Sequence, residues 1–263
     1  MEYIEFAGPP GTGKTTILKK LLKSKEKCLS LDEVYADSMK NFIQKNKGYL
    51  SSRKFSSYLL KSGLFFLEHK KSLYLTKIVS RSMGINGLMI VLYEKRFPGS
   101  LKAFEEYANK YNDSSRTKKV LERFNRVIEK YMVTELNYSE DKYILVDEGF
   151  VQRGSWASLP PQISKEPLEE DIQSYCDNIL VPDKLFLFSA DSETCNKRME
   201  KRRKNRPAGY ESLASSEFKN ILKKWDESLE IISDILSSKG CEVIKIDSEQ
   251  SIGKVKTQCE SKI

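Results

Sequence analysis

Apolar residues follow two patterns that alternate along the chain: short, mainly apolar runs and longer stretches with helical spacing. The short runs predict five strands, at residues 4–7, 28–31, 143–146, 184–188 and 242–246. Helical spacing predicts helices between them, at residues 14–23, 33–43, 168–180, 192–203, 212–236 and 252–259. Because apolar strands that alternate with helices form sheets buried on both faces, the pattern predicts an α/β fold with a parallel, five-stranded sheet.

The stretch from residue 55 to residue 131 differs, since it has many apolar clusters but weak strand signals. Glycine, proline and asparagine residues divide it into four or five predicted helices. We therefore predict one domain over residues 1–263, in which residues 50–135 form a mainly helical insertion between strands 2 and 3. Parallel sheets bind ligands at the carboxyl ends of their strands, and the insertion would cover that edge as an acceptor-binding region.

A glycine-rich turn follows the first strand and leads into the first helix. Its sequence is Gly8-Pro9-Pro10-Gly11-Thr12-Gly13-Lys14-Thr15, which fits the phosphate-binding pattern G-x-x-x-x-G-K-[ST] at every fixed position. Glycines let successive N–H groups turn toward phosphate oxygens, the lysine adds a positive charge, and the hydroxyl after it can bind Mg²⁺. The turn predicts nucleotide binding, with ATP and Mg²⁺ as cofactors. A tight turn without a ligand is the alternative.

Two acidic residues, Asp147 and Glu148, follow the third strand. In phosphate-binding proteins of this kind, such a strand brings a carboxylate to the metal or to the attacking nucleophile. In an ATPase, Asp147 would hold Mg²⁺ and Glu148 would orient water. In a kinase, one of the pair would orient or deprotonate the acceptor. A surface turn with two solvated acids is the alternative without chemistry.

A run of seven basic residues on the helix after the fourth strand ends at Arg206. Arg198 and Arg202 are four residues apart and share a helical face, which Arg206 extends if the helix continues. Because guanidinium groups pair with phosphate oxygens, we predict an arginine-rich lid over residues 191–212. A solvated basic helix is the alternative, and a nucleic-acid patch is disfavoured because no aromatic residue interrupts the run before Tyr210.

Composition narrows the class of protein further. Apolar residues make up 39% and aromatic residues 10%, as in soluble globular proteins. No apolar run could span a bilayer and no signal-peptide pattern is present, so we expect a cytoplasmic protein without a membrane partner. Five scattered cysteines and one histidine disfavour a zinc site and predict reduced, packed thiols. The net charge of +8 fits nucleic acid or, in part, a phosphorylated small molecule.

Three segments of the chain together resemble the nucleoside and nucleoside-monophosphate kinases, most closely the thymidylate kinases and deoxynucleoside kinases. The segments are residues 8–16, 144–153 and 182–206. The resemblance implies a three-layer P-loop (Walker A) NTPase fold. It also implies that Asp147 acts near the acceptor, that Arg198 is the first arginine of the lid, and that Arg202 and Arg206 clamp phosphate. Where the family has an arginine directly after the acid, this chain has Glu148, and the nearest arginine is Arg153.

These patterns predict the following site residues. The predicted catalytic residues are Lys14, Asp147, Arg202 and Arg206. The predicted nucleotide-binding residues are Gly8, Gly11, Thr12, Gly13, Lys14, Thr15, Thr16 and Arg198. The predicted substrate-binding residues are Asp32, Glu148 and Arg153, and the predicted metal ligands are Thr15 and Asp147. Helix capping is the alternative role for Asp32. Asp247 and Ser248 are weaker candidates for a position near the adenine base, with a strand-end turn as the alternative.

The leading hypothesis is an ATP- and Mg²⁺-dependent kinase that moves the γ-phosphate to a small-molecule acceptor, a nucleoside or a nucleoside monophosphate. The main alternative is a P-loop ATPase that works as a switch or assembly factor with a nucleic-acid or protein partner, since one fold hosts many functions. A binding protein without turnover is a third hypothesis. The choice between ATP and GTP stays open, as does a homodimer.

Overall fold

The computed structural model describes residues 1–45, 80, 84–157, 168–201, 206–207 and 210–263, without the side chain of Trp156. Five strands form one sheet in the order β2-β3-β1-β4-β5. They are β1 (Glu2–Ala7), β2 (Cys28–Ser30), β3 (Tyr143–Asp147), β4 (Lys184–Ser189) and β5 (Glu242–Asp247). All four pairs of neighbouring strands are parallel, so the predicted α/β class with a five-stranded parallel sheet is confirmed.

Ten helices lie within the described ranges and cover both faces of the sheet. They are α1 (Lys14–Ser24), α2 (Leu31–Lys45), α3 (Ile85–Arg96), α4 (Ser100–Tyr111), α5 (Ser114–Asn137), α6 (Phe150–Ala157), α7 (Glu169–Asp177), α8 (Ser192–Glu200), α9 (Ser215–Ser238) and α10 (Ile252–Glu260). The predicted helix at residues 192–203 is thus helical to Glu200, and residues 202–205 lie outside the description.

Alternate side chains of β1 enter two separate apolar cores. Ile4 and Phe6 are fully buried against α1 and α10 on one face. Tyr3 and Ala7 belong to the larger core, which α2 to α9 build on the other face. Burying a side chain of this size contributes about 1.5–3 kcal/mol, so the alternation along β1 fixes which face each helix covers.

Helix α5 is the centre of the helical layer between β2 and β3. It is 24 residues long and packs against α2, α3, α4 and α6. Its buried Glu129 accepts hydrogen bonds from the Tyr35 and Ser80 hydroxyls and, at 2.8 Å, from the Asn86 amide. Of the predicted insertion at residues 50–135, the described part is residue 80 and residues 84–135, and residues 50–79 and 81–83 lie outside the description.

The start of α2 differs from the prediction. The helix begins at Leu31, so Asp32 is inside the first turn and its predicted role as a cap is wrong. The Ser30 hydroxyl accepts from the Glu33 N–H at 3.2 Å, and the Glu33 carboxylate accepts from the Ser30 N–H at 3.0 Å. This reciprocal pair is a capping box, which satisfies two backbone donors at once and displaces the helix start toward the strand.

Helix α6 is an element that the hydrophobic pattern did not predict. It contains Gly154, a residue that weakens isolated helices. A Cβ atom at Gly154 would lie 2.1 Å from Cε1 of Tyr175 on α7, and the Tyr175 hydroxyl donates to the carbonyl of Phe150 at 2.6 Å. Close packing against α7 therefore requires this glycine, and tertiary contacts outweigh the weak local preference.

Composition also predicted packed cysteines and no membrane-spanning segment. All five cysteines are buried and unpaired with one another, so the predicted packing of the thiols is confirmed. Within the described ranges, no helix has both the length and the apolar character needed to cross a bilayer.

Candidate functional site

The glycine-rich turn, residues 8–15, lies at the carboxyl end of the sheet between two neighbouring strands. Phe6 of β1 pairs with Asp147 of β3, and Ala7 pairs with Leu187 of β4. Because β1 is flanked by β3 and β4, the turn that follows it meets the last residues of both strands. The sheet order thus brings Asp147 beside the start of α1.

Close packing explains two of the glycines in the turn. A Cβ atom at Gly8 would lie 2.4 Å from the carbonyl oxygen of Phe188 in β4. A Cβ atom at Gly11, which has φ +94°, would lie 2.6 Å from the carbonyl oxygen of Cys195 in α8. Gly13, at φ +89°, precedes α1, and space is open around it. The turn is therefore fixed against β4 and α8 while its α1 side stays open to a ligand.

A lysine, a hydroxyl and a carboxylate meet at the N-terminus of α1. The Lys14 ammonium donates to the Gly8 carbonyl at 2.8 Å and to the Pro9 carbonyl at 3.4 Å. The Thr15 hydroxyl donates to Oδ2 of Asp147 at 2.8 Å. Burial raises the pKa of Asp147, while Lys14 and the Thr15 hydrogen bond act to lower it. The structure thus brings together three of the residues that the sequence predicts for phosphate and metal.

The Thr15–Asp147 pair fits a hydrated Mg²⁺ ion. Oδ1 of Asp147 is buried and has no hydrogen-bond partner in the described part of the chain. Mg²⁺ prefers oxygen ligands and keeps several waters, so one or two protein oxygens beside phosphate oxygens are enough to bind it. Among the described residues, no group of three or more histidine, cysteine or acidic side chains could hold a metal without such help.

A buried chain of hydrogen bonds connects the turn to α6. The Gly8 N–H donates to Oε1 of Gln152 at 2.9 Å, and the Gln152 N–H donates to Oε1 of Glu5 at 2.9 Å. Glu5 lies on β1, is fully buried, and is so close to Gly149 that a Cβ there would be 2.5 Å from Oε2. Burial raises the pKa of Glu5 to about 7, although the N–H groups of Gln152 and Val151 lower it.

Replacing Glu5 by glutamine should flatten the dependence of stability on pH. The pKa of Glu5 is raised from 4.5 to about 7 in the folded protein, so within this window the folded state binds more protons than the unfolded chain. The free energy of unfolding therefore falls as pH rises through the window, by about 3 kcal/mol in total. We expect Glu5→Gln to lose this fall, measured by urea unfolding from about pH 5 to about pH 8.

Glu2→Gln is the matched control, because Glu2 lies on the same strand with its side chain exposed. An unchanged slope in Glu5→Gln would mean that Glu5 is already ionised at the acidic end of the range. In that case the buried chain from Glu5 to Gly8 would carry a fixed negative charge.

A cavity of about 300 Å³ opens beside the turn, between α1, α8 and the segment after β5. Gly13, Thr16 and Ser248 line it, and Ile17, Ile252 and Val255 add apolar surface. Arg198, also in the lining, donates to the Gly11 carbonyl at 3.4 Å and to the Ser248 carbonyl at 2.8 Å. The cavity joins the turn to Ser248, one of the two weaker candidates from the sequence. The other, Asp247, accepts from the Glu249 N–H at 2.9 Å, a strand-end turn.

Glu148 has an unusual backbone conformation on the other side of Asp147. At φ +65°, it is the one non-glycine residue with a positive φ among those described, and such backbone conformations cluster at functional sites. Its carboxylate forms an ion pair with Arg153 of α6. Two of the three predicted substrate-binding residues therefore contact each other.

Sequence reasoning missed three arginines on α5, of which Arg123 lies within electrostatic range of this ion pair. They are Arg116, Arg123 and Arg126 of α5. Burial lowers the pKa of Arg123, and the charges of Arg153, Arg126 and Arg116 lower it further. Spacings of seven and three residues put these arginines on one side of α5, which is a signal in the sequence. On a long amphipathic helix that signal cannot be told from a solvated polar face.

The other predicted residues have different surroundings. Asp32 forms an ion pair with Lys130 of α5. Arg206 lies in a bend after α8, where its guanidinium donates to the Leu213 carbonyl and stacks over the Phe218 ring at 4.7 Å. Arg206 therefore does not extend the helical face of Arg198. Arg202 lies outside the described residues.

Compared with known proteins, the chain matches no protein-family model, and no curated protein matches it. The fold and the candidate site define an α/β protein with a glycine-rich turn, a partly buried carboxylate and an arginine at the carboxyl ends of its parallel strands.

Proposed function

We propose that this chain is a phosphotransferase of the P-loop class that uses ATP and Mg²⁺. More particularly, it moves the γ-phosphate to a small acceptor, a nucleoside or a nucleoside monophosphate, in the manner of the kinases that its sequence resembles. The observation that carries the proposal is the convergence of Lys14, Thr15 and Asp147 at the turn, with Arg198 on its far side. Residues 191–212 would form the lid.

Lys14 and the helix terminus would bind the triphosphate. The first N–H groups of α1 have no partners within the helix, and the helix dipole favours a negative charge there. The Lys14 ammonium now donates to two carbonyls of its own turn, and phosphate oxygens would replace these as acceptors. Because charge-assisted hydrogen bonds are stronger than those to neutral carbonyls, the exchange favours the bound state.

Thr15 and Asp147 would hold the metal ion. Mg²⁺ bound between the β- and γ-phosphates neutralises charge as the phosphoryl group moves. The Thr15 hydroxyl, which now donates to Asp147, would turn its lone pair to the ion, and the Asp147 carboxylate would accept from water molecules around it. The buried, unpartnered Oδ1 of Asp147 is the atom that gains most from such a contact.

Two features favour transfer to an acceptor over hydrolysis. The Glu148 carboxylate is paired with Arg153, so it is not poised to activate water. Arg123 of α5 lies within electrostatic range of both members of that ion pair, which suits a negatively charged acceptor more than a water molecule. Positioning and charge neutralisation are the main contributions that proteins make to phosphoryl transfer.

The experiment is a screen of acceptors with purified protein, ATP and Mg²⁺, read by ADP release. We expect slow hydrolysis of ATP alone and at least about tenfold faster ADP release with one compound from a panel of nucleosides, nucleotides and sugars. Glu148→Gln tests the ATPase alternative, in which this variant abolishes turnover without an acceptor. If ATP turnover is fast alone, is lost in Glu148→Gln and responds to no acceptor, the kinase proposal is wrong.

A further inference from the structure

Glu5 takes a position in β1 that faces the larger apolar core. Tyr3 and Ala7, two residues away on either side, belong to that core, and Glu5 between them is fully buried. Because side chains at alternate positions of a strand share a face, the Glu5 carboxyl group enters the core with its neighbours. Burial of an ionisable group costs free energy, whereas an apolar side chain at the same place would stabilise the fold. Packing of the core therefore does not account for an acid here.

The Glu5 carboxyl group caps the first turn of α6. Its Oε1 atom accepts from the N–H of Gln152, the third residue of the helix, at 2.9 Å in a buried environment. The first N–H groups of a helix have no acceptor within the helix, and the third is one to which capping side chains bond. Oε2 of Glu5 occupies the space beside Gly149, where a Cβ atom would lie only 2.5 Å from it. A residue of β1 thus fixes the start of α6.

Gln152 bonds α6 to the glycine-rich turn in the same buried region. Its Oε1 atom accepts from the Gly8 N–H at 2.9 Å, and the Gly8 carbonyl accepts from the Lys14 ammonium at 2.8 Å. When Lys14 turns to a phosphate, as the proposed function requires, it leaves the Gly8 carbonyl. The bond from Gly8 to Gln152 is then the one of these two that continues to hold the first residue of the turn.

Asp147 is fixed relative to the turn by the same set of contacts. It pairs with Phe6 of β1 in the sheet, and only residues 148–149 separate it from α6. Because Glu5 caps α6 and Gln152 holds the turn, a change in the distance between the turn and Asp147 would break a buried hydrogen bond. A buried N–H without an acceptor loses the free energy of its hydration without compensation. The hydrogen-bonded chain therefore sets that distance.

We propose that Glu5 and Gln152 are positioning residues of the nucleotide site, which keep the phosphate-binding turn aligned with the metal-binding pair, Thr15 and Asp147. This inference rests on the proposed function and adds to it, because neither residue would touch ATP, the metal ion or the acceptor. Phosphoryl transfer depends mainly on positioning, and a displacement of about 1 Å far from the chemistry can lower a rate about 100-fold. A break in the chain should therefore lower the rate of transfer more than the affinity for ATP.

Two pairs of variants of equal reach test the two hydrogen bonds. Gln152→Met removes the acceptor for the Gly8 N–H, whereas Gln152→Glu keeps one. We expect Gln152→Met to lower kcat for phosphoryl transfer at least about tenfold, while KM for ATP stays within about threefold, because the N–H groups at the start of α1 still bind phosphate. Gln152→Glu should recover most of that loss. Glu5→Met and Glu5→Gln should differ in the same way, because glutamine keeps an acceptor for the Gln152 N–H.

Glu129→Met is the matched control for a defect in the same core. In the described structure, Glu129 is a buried acid whose hydrogen-bond partners lie at residue 80 and on α2 and α3, and none of them belongs to the turn or to α6. We expect this variant to unfold at a lower urea concentration than the wild type, with kcat within about twofold. Gln173→Met, at an exposed position of α7, controls for the substitution itself. An equal loss of kcat in Glu129→Met would overturn the inference, because any buried defect would then slow transfer.

A spectroscopic readout tests the chain without nucleotide, metal or activity. An amide proton that loses its hydrogen bond moves upfield in the ¹H–¹⁵N spectrum. The Gly8 signal should move upfield in Gln152→Met and also in Glu5→Met, although Glu5 acts on it only through Gln152. Gln152→Glu and Glu129→Met should leave the Gly8 proton downfield. A Gly8 signal that stays in place in both Gln152→Met and Glu5→Met would overturn the inference.

Titration with a non-hydrolysable ATP analogue separates the inference from the proposed function. Mg²⁺ should raise the affinity of the wild-type protein for the analogue, because phosphate oxygens and the Thr15–Asp147 pair would share the ion. Gln152→Met should lose most of that gain, because the turn and Asp147 are no longer aligned. If the gain is lost in a protein that transfers phosphate to no acceptor, the inference stands and the kinase proposal falls. If an active kinase keeps both kcat and the gain in Gln152→Met, the inference falls and the kinase proposal stands.

Discussion

Lys14→Met lowers kcat/KM for phosphoryl transfer by at least about 100-fold, the largest effect that we expect from one side chain. The variant keeps the length of the side chain but removes the charge beside the Gly8 carbonyl, where the β- and γ-phosphates would lie. Its free energy of unfolding should change by only about 1 kcal/mol, because the hydrogen bonds of Lys14 to the turn are only partly buried. Steady-state ADP release and urea unfolding measure the two quantities.

Lys19→Met is the control for this variant. Lys19 is on the same helix at an exposed position, so the charge change is identical but remote from the turn. A Lys14→Met protein that retains half of the wild-type kcat/KM would show that phosphate binds elsewhere. The proposal of a phosphotransferase site at the turn would then be withdrawn.

Gly11→Ala should destabilise the protein by about 2–4 kcal/mol and abolish nucleotide binding. The added Cβ would lie 2.6 Å from the Cys195 carbonyl oxygen and 2.9 Å from Cα of Cys195, and both atoms are backbone that cannot rotate away. The φ of +94° adds strain for any residue with a side chain. Relief of the clash has to move the turn or α8, and either movement disturbs Arg198. Thermal unfolding and titration with a fluorescent ATP analogue measure the outcome.

The matched control is Gly253→Ala in α10. There a Cβ atom has nothing within 4 Å, and the backbone is helical. Alanine at such a position stabilises a helix by up to about 1 kcal/mol. If Gly11→Ala and Gly253→Ala unfold at the same denaturant concentration, the turn is not held rigidly against α8.

The strands and the turn could be predicted because their signals are local. Each of the five strands is a short, mainly apolar run, and the run at residues 143–146 is followed by polar residues that mark its end. The glycine-rich turn places its residue types at fixed spacing, so its position between strand and helix followed without knowledge of the fold. The order of the strands in the sheet cannot be predicted from local signals. It nevertheless determines the site, because the position of β3 beside β1 brings Asp147 to Thr15.

Other parts could not be predicted because they depend on contacts between distant segments. Helix α6 contains a glycine that only the ring of Tyr175 explains. Arg123 was overlooked because only the fold brings it within electrostatic range of Arg153. Asp32 was predicted to be a cap or a ligand. Its ion pair with Lys130, almost 100 residues away, could not be predicted from the sequence. The capping box at Ser30 could have been predicted, because the pattern S-x-x-E is itself a sequence signal for a helix start.

Helix α5 connects the layer of α2, α3 and α4 to the apolar core on the sheet. Its inner face belongs to the same apolar core as β3 and α6, and it packs against α2, α3 and α4 as well. The core-facing turns of α5 therefore open only when that shared core opens. Amide hydrogens along those turns should exchange with solvent more slowly than amide hydrogens near the ends of the helix.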